Sequence, residues 1–101
     1  NRDEFCDEVI EAYKAKDYEK RAEYSYMGES ETVSADLVEQ ELADDYSYFS
    51  ESKEDLDSLK YTRFKSDETQ YLNVSSSDGK GITYYITVKN GKYKLDLRYR
   101  T

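Results

Sequence analysis

The chain has 101 residues, the length of a single domain, and no break in composition within residues 1–101 marks a linker. Apolar residues make up only 37%, but twelve tyrosines and three phenylalanines supply the burial that a disordered chain lacks. The net charge of −8 disfavours binding to polyanions, and the absence of histidine argues against histidine-based catalytic triads and zinc sites.

The first residue is Asn1 rather than Met, so we expect that an N-terminal segment has been removed. Loss of a signal peptide and trimming of the expressed fragment are both open as explanations. No apolar run is long enough to span a bilayer, so an integral membrane domain is not expected. Membrane attachment is therefore expected only through a removed N-terminal anchor.

Residues 3 to 15 are predicted to form an amphipathic helix, with acids crowded at the amino end where the helix dipole favours them. Its apolar face carries Phe5, Cys6, Val9, Ile10 and Tyr13. Cys6 is the only cysteine, and on that face it is expected to be a small buried side chain. Asp17 can cap a further helical segment, so residues 4 to 27 form either one bent helix or two helices that end at Gly28.

A second long helix is predicted over residues 35 to 50, with Ser34 as its N-cap. Its apolar stripe consists of Ala35, Val38, Leu42, Tyr46 and Phe49. Asp44 and Asp45 are adjacent, so a helix points them in different directions, and both are expected to be solvated. Residues 50 to 57 are charged and rich in serine, which predicts a loop.

From Leu59 onward the apolar residues recur with a period of two, which predicts antiparallel strands. Asn90-Gly91 is a strong signal for a two-residue hairpin turn. The register that follows places every apolar residue of the two strands on one face. Its cross-strand pairs are Lys89 with Lys92, Val88 with Tyr93, Ile86 with Leu95, Tyr84 with Leu97, and Ile82 with Tyr99.

Two further strands are predicted before this hairpin, over residues 58 to 66 and 69 to 76. A three-residue loop, Ser77-Asp78-Gly79 with Gly79 left-handed, keeps apolar partners together across the second connection. The first connection is a turn at Asp67-Glu68. The predicted pairs are Val74 with Ile82, Leu72 with Tyr84, Tyr71 with Tyr85, Tyr61 with Val74, Leu59 with Ser76, and Phe64 with Tyr71.

Charge divides between the two halves of the chain. Residues 1–57 hold 19 acids and 6 bases, whereas residues 58–101 hold 4 acids and 9 bases. This division predicts an acidic layer of helices over the inner face of a sheet whose outer face is basic and aromatic. The outer face is expected to show Lys60, Phe64, Tyr71, Tyr85, Lys94, Arg98 and Arg100.

Aromatic strips on an uncovered sheet often mark an interface. The predicted interface residues are Phe64, Tyr71, Tyr85, Lys94 and Arg98, for self-association or for a protein partner. Bases mixed with aromatics also bind single-stranded nucleic acid, but at a net charge of −8 no nucleic-acid partner is expected.

Two segments carry a resemblance to a known superfamily: A-Y-K-x-K-D-Y-E-K at residues 12–20 and V-K-N-G-K-Y-K-L-D-L at residues 88–97. Together with the order of elements, they resemble the nuclear-transport-factor-2-like, or cystatin-like, superfamily, especially the small extracytoplasmic domains of bacterial lipoproteins and secreted proteins. The resemblance implies an α+β fold in which two to three N-terminal helices pack on one face of a curved four-stranded antiparallel meander sheet, a cone. The connection from Met27 to Ser34 is shorter than in longer members, which implies a shallow or filled cone.

The predicted function is a non-catalytic binding or protein-interaction module, secreted or lipid-anchored outside the cytoplasm. The alternative is a small-ligand enzyme or ligand-binding domain that uses the cone pocket. Superfamily pockets imply tyrosines as hydrogen-bond donors, and the pocket candidates are Tyr13, Tyr84, Tyr93 and Tyr99. The sequence predicts no catalytic residue, cofactor or metal ligand; Asp78, for example, is the single acid of residues 75–81 and does not make a calcium loop.

Overall fold

The computed structural model describes residues 1–50 and 58–100 and confirms the predicted α+β class. The helices are α1 (Arg2–Ala15), α2 (Tyr18–Glu23) and α3 (Ala35–Ser50). The strands are β1 (Ser25–Tyr26), β2 (Lys60–Ser66), β3 (Thr69–Ser75), β4 (Gly81–Lys89) and β5 (Lys92–Arg100). Residue 50 ends α3, and the rest of the predicted loop, residues 51–57, lies outside the described part of the chain.

Side-chain caps set the ends of the helices. The Asn1 side chain accepts a hydrogen bond from the Glu4 amide at 2.9 Å, and Lys16 ends α1 in a left-handed conformation with φ of 55°. Asp17 then accepts from the Lys20 amide at 3.2 Å and starts α2. The N-terminal segment therefore forms two helices rather than one bent helix. Ser34 caps α3 as predicted, since its hydroxyl oxygen accepts from the Leu37 amide at 3.1 Å.

The sheet has five strands in the order β1-β5-β4-β3-β2. Strands β2 to β5 form the predicted antiparallel meander, but β1 adds a short edge strand that runs parallel to β5. The Leu95 amide donates to the Tyr24 carbonyl at 2.6 Å at this junction. The prediction of four strands was wrong in this respect, because residues 25 and 26 were assigned to a helix that in fact ends at Glu23. The sheet is mixed and open, with β1 and β2 as its edges.

Most of the predicted register is confirmed. Strands β2 and β3 pair Tyr61 with Val74, and β3 and β4 pair Val74 with Ile82. The connection between β3 and β4 closes through the Ser76 amide, which donates to the Lys80 carbonyl at 2.9 Å, and Gly79 adopts a φ of 94°. Glycine suits this position because the left-handed region strains residues with a Cβ atom.

The register of β4 and β5 changes partway along the hairpin. Ile86 pairs with Leu95 as predicted, but Tyr84 pairs with Arg100 after an irregularity between Tyr84 and Tyr85. The predicted pairs of Tyr84 with Leu97 and of Ile82 with Tyr99 were therefore wrong. A local turn explains the shift: the Asp96 side chain accepts a hydrogen bond from the Arg98 amide at 3.1 Å. Such a bond competes with the sheet ladder, so Tyr99 leaves the core side and is 53% exposed.

The core lies between the helices and the inner face of the sheet. Ile86 and Leu95 are 7% and 1% exposed, as the alternation predicts, and Cys6 is fully buried. Burial raises the pKa of the Cys6 thiol. The buried apolar cluster comprises Phe5, Cys6, Val9, Tyr13, Val38, Leu42, Phe49, Leu59, Leu72, Val74, Ile82, Tyr84, Ile86 and Leu95. None of the helices in the described ranges has both the length and the apolar character needed to cross a membrane.

Two valines on the inner face provide a matched test of where the core ends. Val74 is 1% exposed in the middle of the sheet, whereas Val88 is 54% exposed next to the β4–β5 turn. Val74→Ala should lower the free energy of unfolding by about 2–3 kcal/mol, because it removes two buried methyl groups and leaves a cavity. Val88→Ala should change it by less than about 1 kcal/mol. Urea unfolding followed by circular dichroism measures both, and equal losses would contradict the assigned boundary of the core.

Candidate functional site

Four aromatic side chains form a continuous row on the outer face of the sheet, the face opposite the helices. We call Phe64, Tyr71, Tyr85 and Tyr99 the aromatic row. Neighbouring ring centroids are 4.8 Å apart for Phe64 and Tyr71, 4.9 Å for Tyr71 and Tyr85, and 5.9 Å for Tyr85 and Tyr99. Each of the four long strands contributes one ring. The row therefore crosses the strands as one surface feature.

Cross-strand pairing positions the first three rings. Phe64 pairs with Tyr71, and Tyr71 pairs with Tyr85, so all three side chains point to the same face. Tyr99 reaches the row because the register of β5 shifts after Asp96. Sequence alternation placed Tyr99 in the pocket and so missed it as a member of this surface. The sequence feature that indicates the register shift is Asp96, two residues before Arg98. At this spacing an aspartate side chain can accept a hydrogen bond from the backbone.

The row continues toward β1 through cations that lie over tyrosine rings. The Arg98 guanidinium lies 5.3 Å from the Tyr99 ring centre and 4.9 Å from that of Tyr26, and Lys89 Nζ lies 4.7 Å from the Tyr26 ring centre. These distances are within the range of cation–π attraction. Tyr26 was not predicted to lie here, because it belongs to the missed strand β1. The outer face therefore carries π-systems and cations across all five strands.

Asp96 holds Arg98 in place. The Asp96 carboxylate is 6% exposed and accepts from Arg98 Nε at 3.0 Å and from Arg98 Nη2 at 2.9 Å. These hydrogen bonds lower the pKa of Asp96, although burial opposes the shift. The bidentate pair neutralises the charge of Arg98 and holds its guanidinium over the rings of Tyr26 and Tyr99.

The remaining predicted interface residue, Lys94, does not lie among the rings. Its Nζ donates to the Glu23 carbonyl, so it ties β5 to the end of α2. Phe64 is 41% exposed, and Tyr71 and Tyr85 are partly exposed. Of the five predicted interface residues, the structure brings Phe64, Tyr71, Tyr85 and Arg98 into one surface and places Lys94 at its border.

A second cluster is polar and buried beneath the inner face. The Tyr84 hydroxyl donates to Asp45 Oδ2 at 2.5 Å, and the Tyr46 hydroxyl donates to the Tyr13 carbonyl at 2.8 Å. Arg21 is 1% exposed, and its guanidinium lies 5.6 Å from the Tyr84 ring centre. The Tyr13 hydroxyl is buried beside this group without a hydrogen bond of normal geometry to a described residue.

Asp45 is 2% exposed, so the expectation that it is solvated was wrong. The sequence does indicate that Asp45 is buried. Asp45 lies on the same helix face as three core residues, because intervals of four, three and four residues separate Val38, Leu42, Asp45 and Phe49. Buried Arg21 was missed as well, because its helix has only six residues and shows little periodicity.

The electrostatics of this cluster keep its tyrosines protonated. Burial raises the pKa of Tyr84 well above its usual value, and the Asp45 carboxylate raises it further. Burial and Asp45 likewise raise the pKa of Tyr13, and burial raises that of Tyr46. Burial lowers the pKa of Arg21, while neighbouring Tyr84, Tyr46 and Asp45 raise it. The cluster thus joins α1, α2, α3 and β4 by hydrogen bonds and charge.

The four predicted pocket tyrosines do not converge. Tyr13 and Tyr84 belong to the buried cluster, Tyr99 belongs to the aromatic row, and Tyr93 lines a separate surface cleft of about 560 Å³. In the ranges 1–50 and 58–100, no group of three or more cysteine and acidic side chains is arranged to hold a metal ion.

Comparison of the chain with known proteins identified no matching family model, no matching curated protein and no matching solved structure. The cystatin-like resemblance therefore stays a prediction, and the site has to be interpreted from its own chemistry.

Two tyrosines of the buried cluster provide a matched test of its hydrogen bonding. Tyr84→Phe should lower the free energy of unfolding at pH 7 by about 1–3 kcal/mol, because buried Asp45 loses a donor. Tyr13→Phe should be neutral or stabilising, because it removes a hydroxyl that lacks a well-formed bond. Urea unfolding of both variants measures the difference. A larger loss for Tyr13→Phe than for Tyr84→Phe would contradict this description of the cluster.

Proposed function

We propose that the chain is a non-catalytic protein-interaction module and that its outer sheet face binds a second copy of the same chain. The observation that supports this most directly is the aromatic row, which crosses four strands on the face that none of the described helices covers. The cystatin-like relationship and the extracytoplasmic, secreted or lipid-anchored location are parts of the same proposal.

The exposure of the rings at both ends of the aromatic row favours association with another protein surface. Phe64 and Tyr99 are 41% and 53% exposed, and they lie at opposite ends of one continuous strip. Aromatic residues are enriched in the centres of interfaces, and tyrosine offers apolar area together with a hydroxyl that can bond to a partner. A ring that a partner covers loses more of its exposed apolar area than a ring that contacts only its neighbours in the sheet. It therefore contributes more to the free energy of association.

The strand directions suggest how two copies fit together. Strands β2 and β4 are both antiparallel to β3, so the Asp67-Glu68 turn and the turn between Lys89 and Lys92 lie at the same end of the sheet. A two-fold axis parallel to the strands would place the aromatic rows of two copies against each other. It would also place the acidic turn of each copy opposite the basic turn of the other.

The charged pair next to the aromatic row is compatible with this arrangement. Asp96 pairs with Tyr85 in the ladder, and its carboxylate binds the Arg98 guanidinium in a bidentate manner. The pair is neutral, so it adds no net charge to the centre of the contact.

The area of the outer face determines how strong the proposed dimerisation is expected to be. Four long strands at a spacing of about 4.8 Å, each about 25 Å long, give a footprint of roughly 500 Å². Stable interfaces bury about 800 Å² of accessible surface per partner. The proposed interface is smaller than this, so we expect weak, reversible dimerisation in the micromolar range.

Catalysis is not proposed, because the pocket tyrosines Tyr13, Tyr93 and Tyr99 lie in three different places. The net charge of −8 also disfavours a nucleic-acid ligand for the outer face.

Replacement of the central ring tests the interface. Tyr85→Asp should weaken dimerisation at least about 100-fold, because an unpaired carboxylate would be buried in the contact. Tyr48→Asp is the control: Tyr48 lies on α3 and is 37% exposed, so it makes the same chemical change away from the proposed interface. Sedimentation velocity over a concentration series measures both, with circular dichroism to confirm folding. A wild-type chain that stays monomeric into the millimolar range would contradict the proposal.

A charge exchange tests the orientation of the two copies. Glu68→Lys and Lys92→Glu should each weaken the dimer by about threefold to tenfold, because each creates a like-charge contact between turns. The double variant should restore affinity close to that of the wild type. Additive weakening in the double variant would show that these turns do not face each other and would rule out the two-fold axis parallel to the strands.

A further inference from the structure

A cleft of about 560 Å³ lies on a different part of the molecule from the aromatic row, where α1 begins, α2 ends and the β4–β5 turn approaches them. This volume is within the range of small-molecule sites. Its lining includes three aromatic residues, Phe5, Tyr24 and Tyr93, and three acids, Glu4, Glu8 and Glu23.

The three rings form one group. The Phe5 ring centre lies 5.8 Å from that of Tyr24, with the ring planes nearly perpendicular, and 5.8 Å from that of Tyr93, with the planes tilted by 33°. Tyr24 and Tyr93 are partly exposed, whereas Phe5 is 8% exposed and lies between them. Rings from a helix, a helix end and a strand therefore meet at differing angles around one space. This arrangement resembles the aromatic surfaces on which ammonium groups bind through cation–π attraction.

The charges around these rings favour a cation. Glu8 lies one helical turn after Phe5, Glu23 precedes Tyr24, and both acids line the cleft. Burial raises the pKa of Tyr24, and the carboxylates of Glu8 and Glu23 raise it further, which indicates a negative local potential.

Two lysines, Lys92 and Lys94, also border the cleft, and their positive charges would attract an anion. Two observations reduce this attraction. Lys94 Nζ already donates to the Glu23 carbonyl. Lys92 is exposed at the β4–β5 turn, where solvent screens its charge. The amino group of Asn1 also lines the cleft, but it lies 3.6 Å from the Glu4 carboxylate and pairs with it, so Glu8 and Glu23 are the acids that face the cation in this proposal.

We propose that this cleft binds a small organic cation, with its ammonium group on the rings of Tyr24 and Tyr93 and near the carboxylates of Glu8 and Glu23. Three rings together with carboxylates distinguish alkylated ammonium groups from inorganic cations, because the rings contact alkyl groups that carry the positive charge. The residues proposed to contact the cation, Tyr24, Tyr93, Glu8 and Glu23, are not among those proposed to form the dimer contact.

A titration with two ligands of the same shape tests the charge requirement. Choline carries a quaternary ammonium group, and 3,3-dimethylbutan-1-ol places a neutral carbon at the same position. Titration of the isotopically labelled chain, followed by NMR, should shift the signals of Phe5, Tyr24 and Tyr93 with choline. The neutral alcohol should bind about tenfold more weakly. Equal affinities, or a choline Kd above about 10 mM, would overturn the proposal.

Single substitutions assign the effect to this cleft. Glu8→Gln should weaken choline binding by about threefold to tenfold, whereas Glu39→Gln, an exposed position on α3, should leave it unchanged. Tyr93→Leu keeps apolar volume but removes the π face, and it should weaken binding about tenfold. If Glu8→Gln and Glu39→Gln change the affinity equally, the binding reflects net charge and the assigned site is wrong.

Discussion

The structure depends on the alternation of side chains along β3 and β4. Leu72, Val74, Ile82, Tyr84 and Ile86 all point to the helices and are nearly inaccessible to solvent. Since successive side chains in a strand point to opposite faces, Tyr71 and Tyr85 must point away from the helices. No helix of the described ranges packs against that outer face, so the burial that forms the core also creates an aromatic surface that these helices leave uncovered.

The irregularity in β5 couples the core to this surface. If the side chains of β5 alternated without interruption, Tyr99 would lie on the core side of the sheet, opposite Ile82. Instead Asp96 binds the amide and guanidinium of Arg98, and the chain re-enters the ladder with Arg100 opposite Tyr84. The same carboxylate thus ends the regular hairpin, neutralises Arg98 and brings Tyr99 beside Tyr85. A buried acid on the outer face is therefore an organising feature of the candidate interface rather than a surface charge.

The sequence predicted regular features and missed those that arise from single polar side chains. The period of the hydrophobic residues, the helix caps and the Asn90-Gly91 turn were sufficient to predict α1, α3 and the antiparallel meander. They also placed three of the four rings of the aromatic row on the outer face. The β1 strand has two residues, too few to show a period, and it forms only because β5 offers a parallel edge. Asp45 followed the helical spacing of the core but was assigned to solvent by its charge, since its partner Tyr84 is 39 residues away and becomes visible only in the fold.

The most direct test of the central claim is the accessibility of the outer-face rings at different protein concentrations. A soluble paramagnetic agent broadens the NMR signals of exposed groups, so it reports whether Tyr71, Tyr85 and Tyr99 contact solvent. We expect strong broadening of these ring signals at low micromolar concentration and protection in the millimolar range, while exposed Tyr48 on α3 stays accessible throughout. Rings of the row that are equally accessible at both concentrations would contradict this expectation.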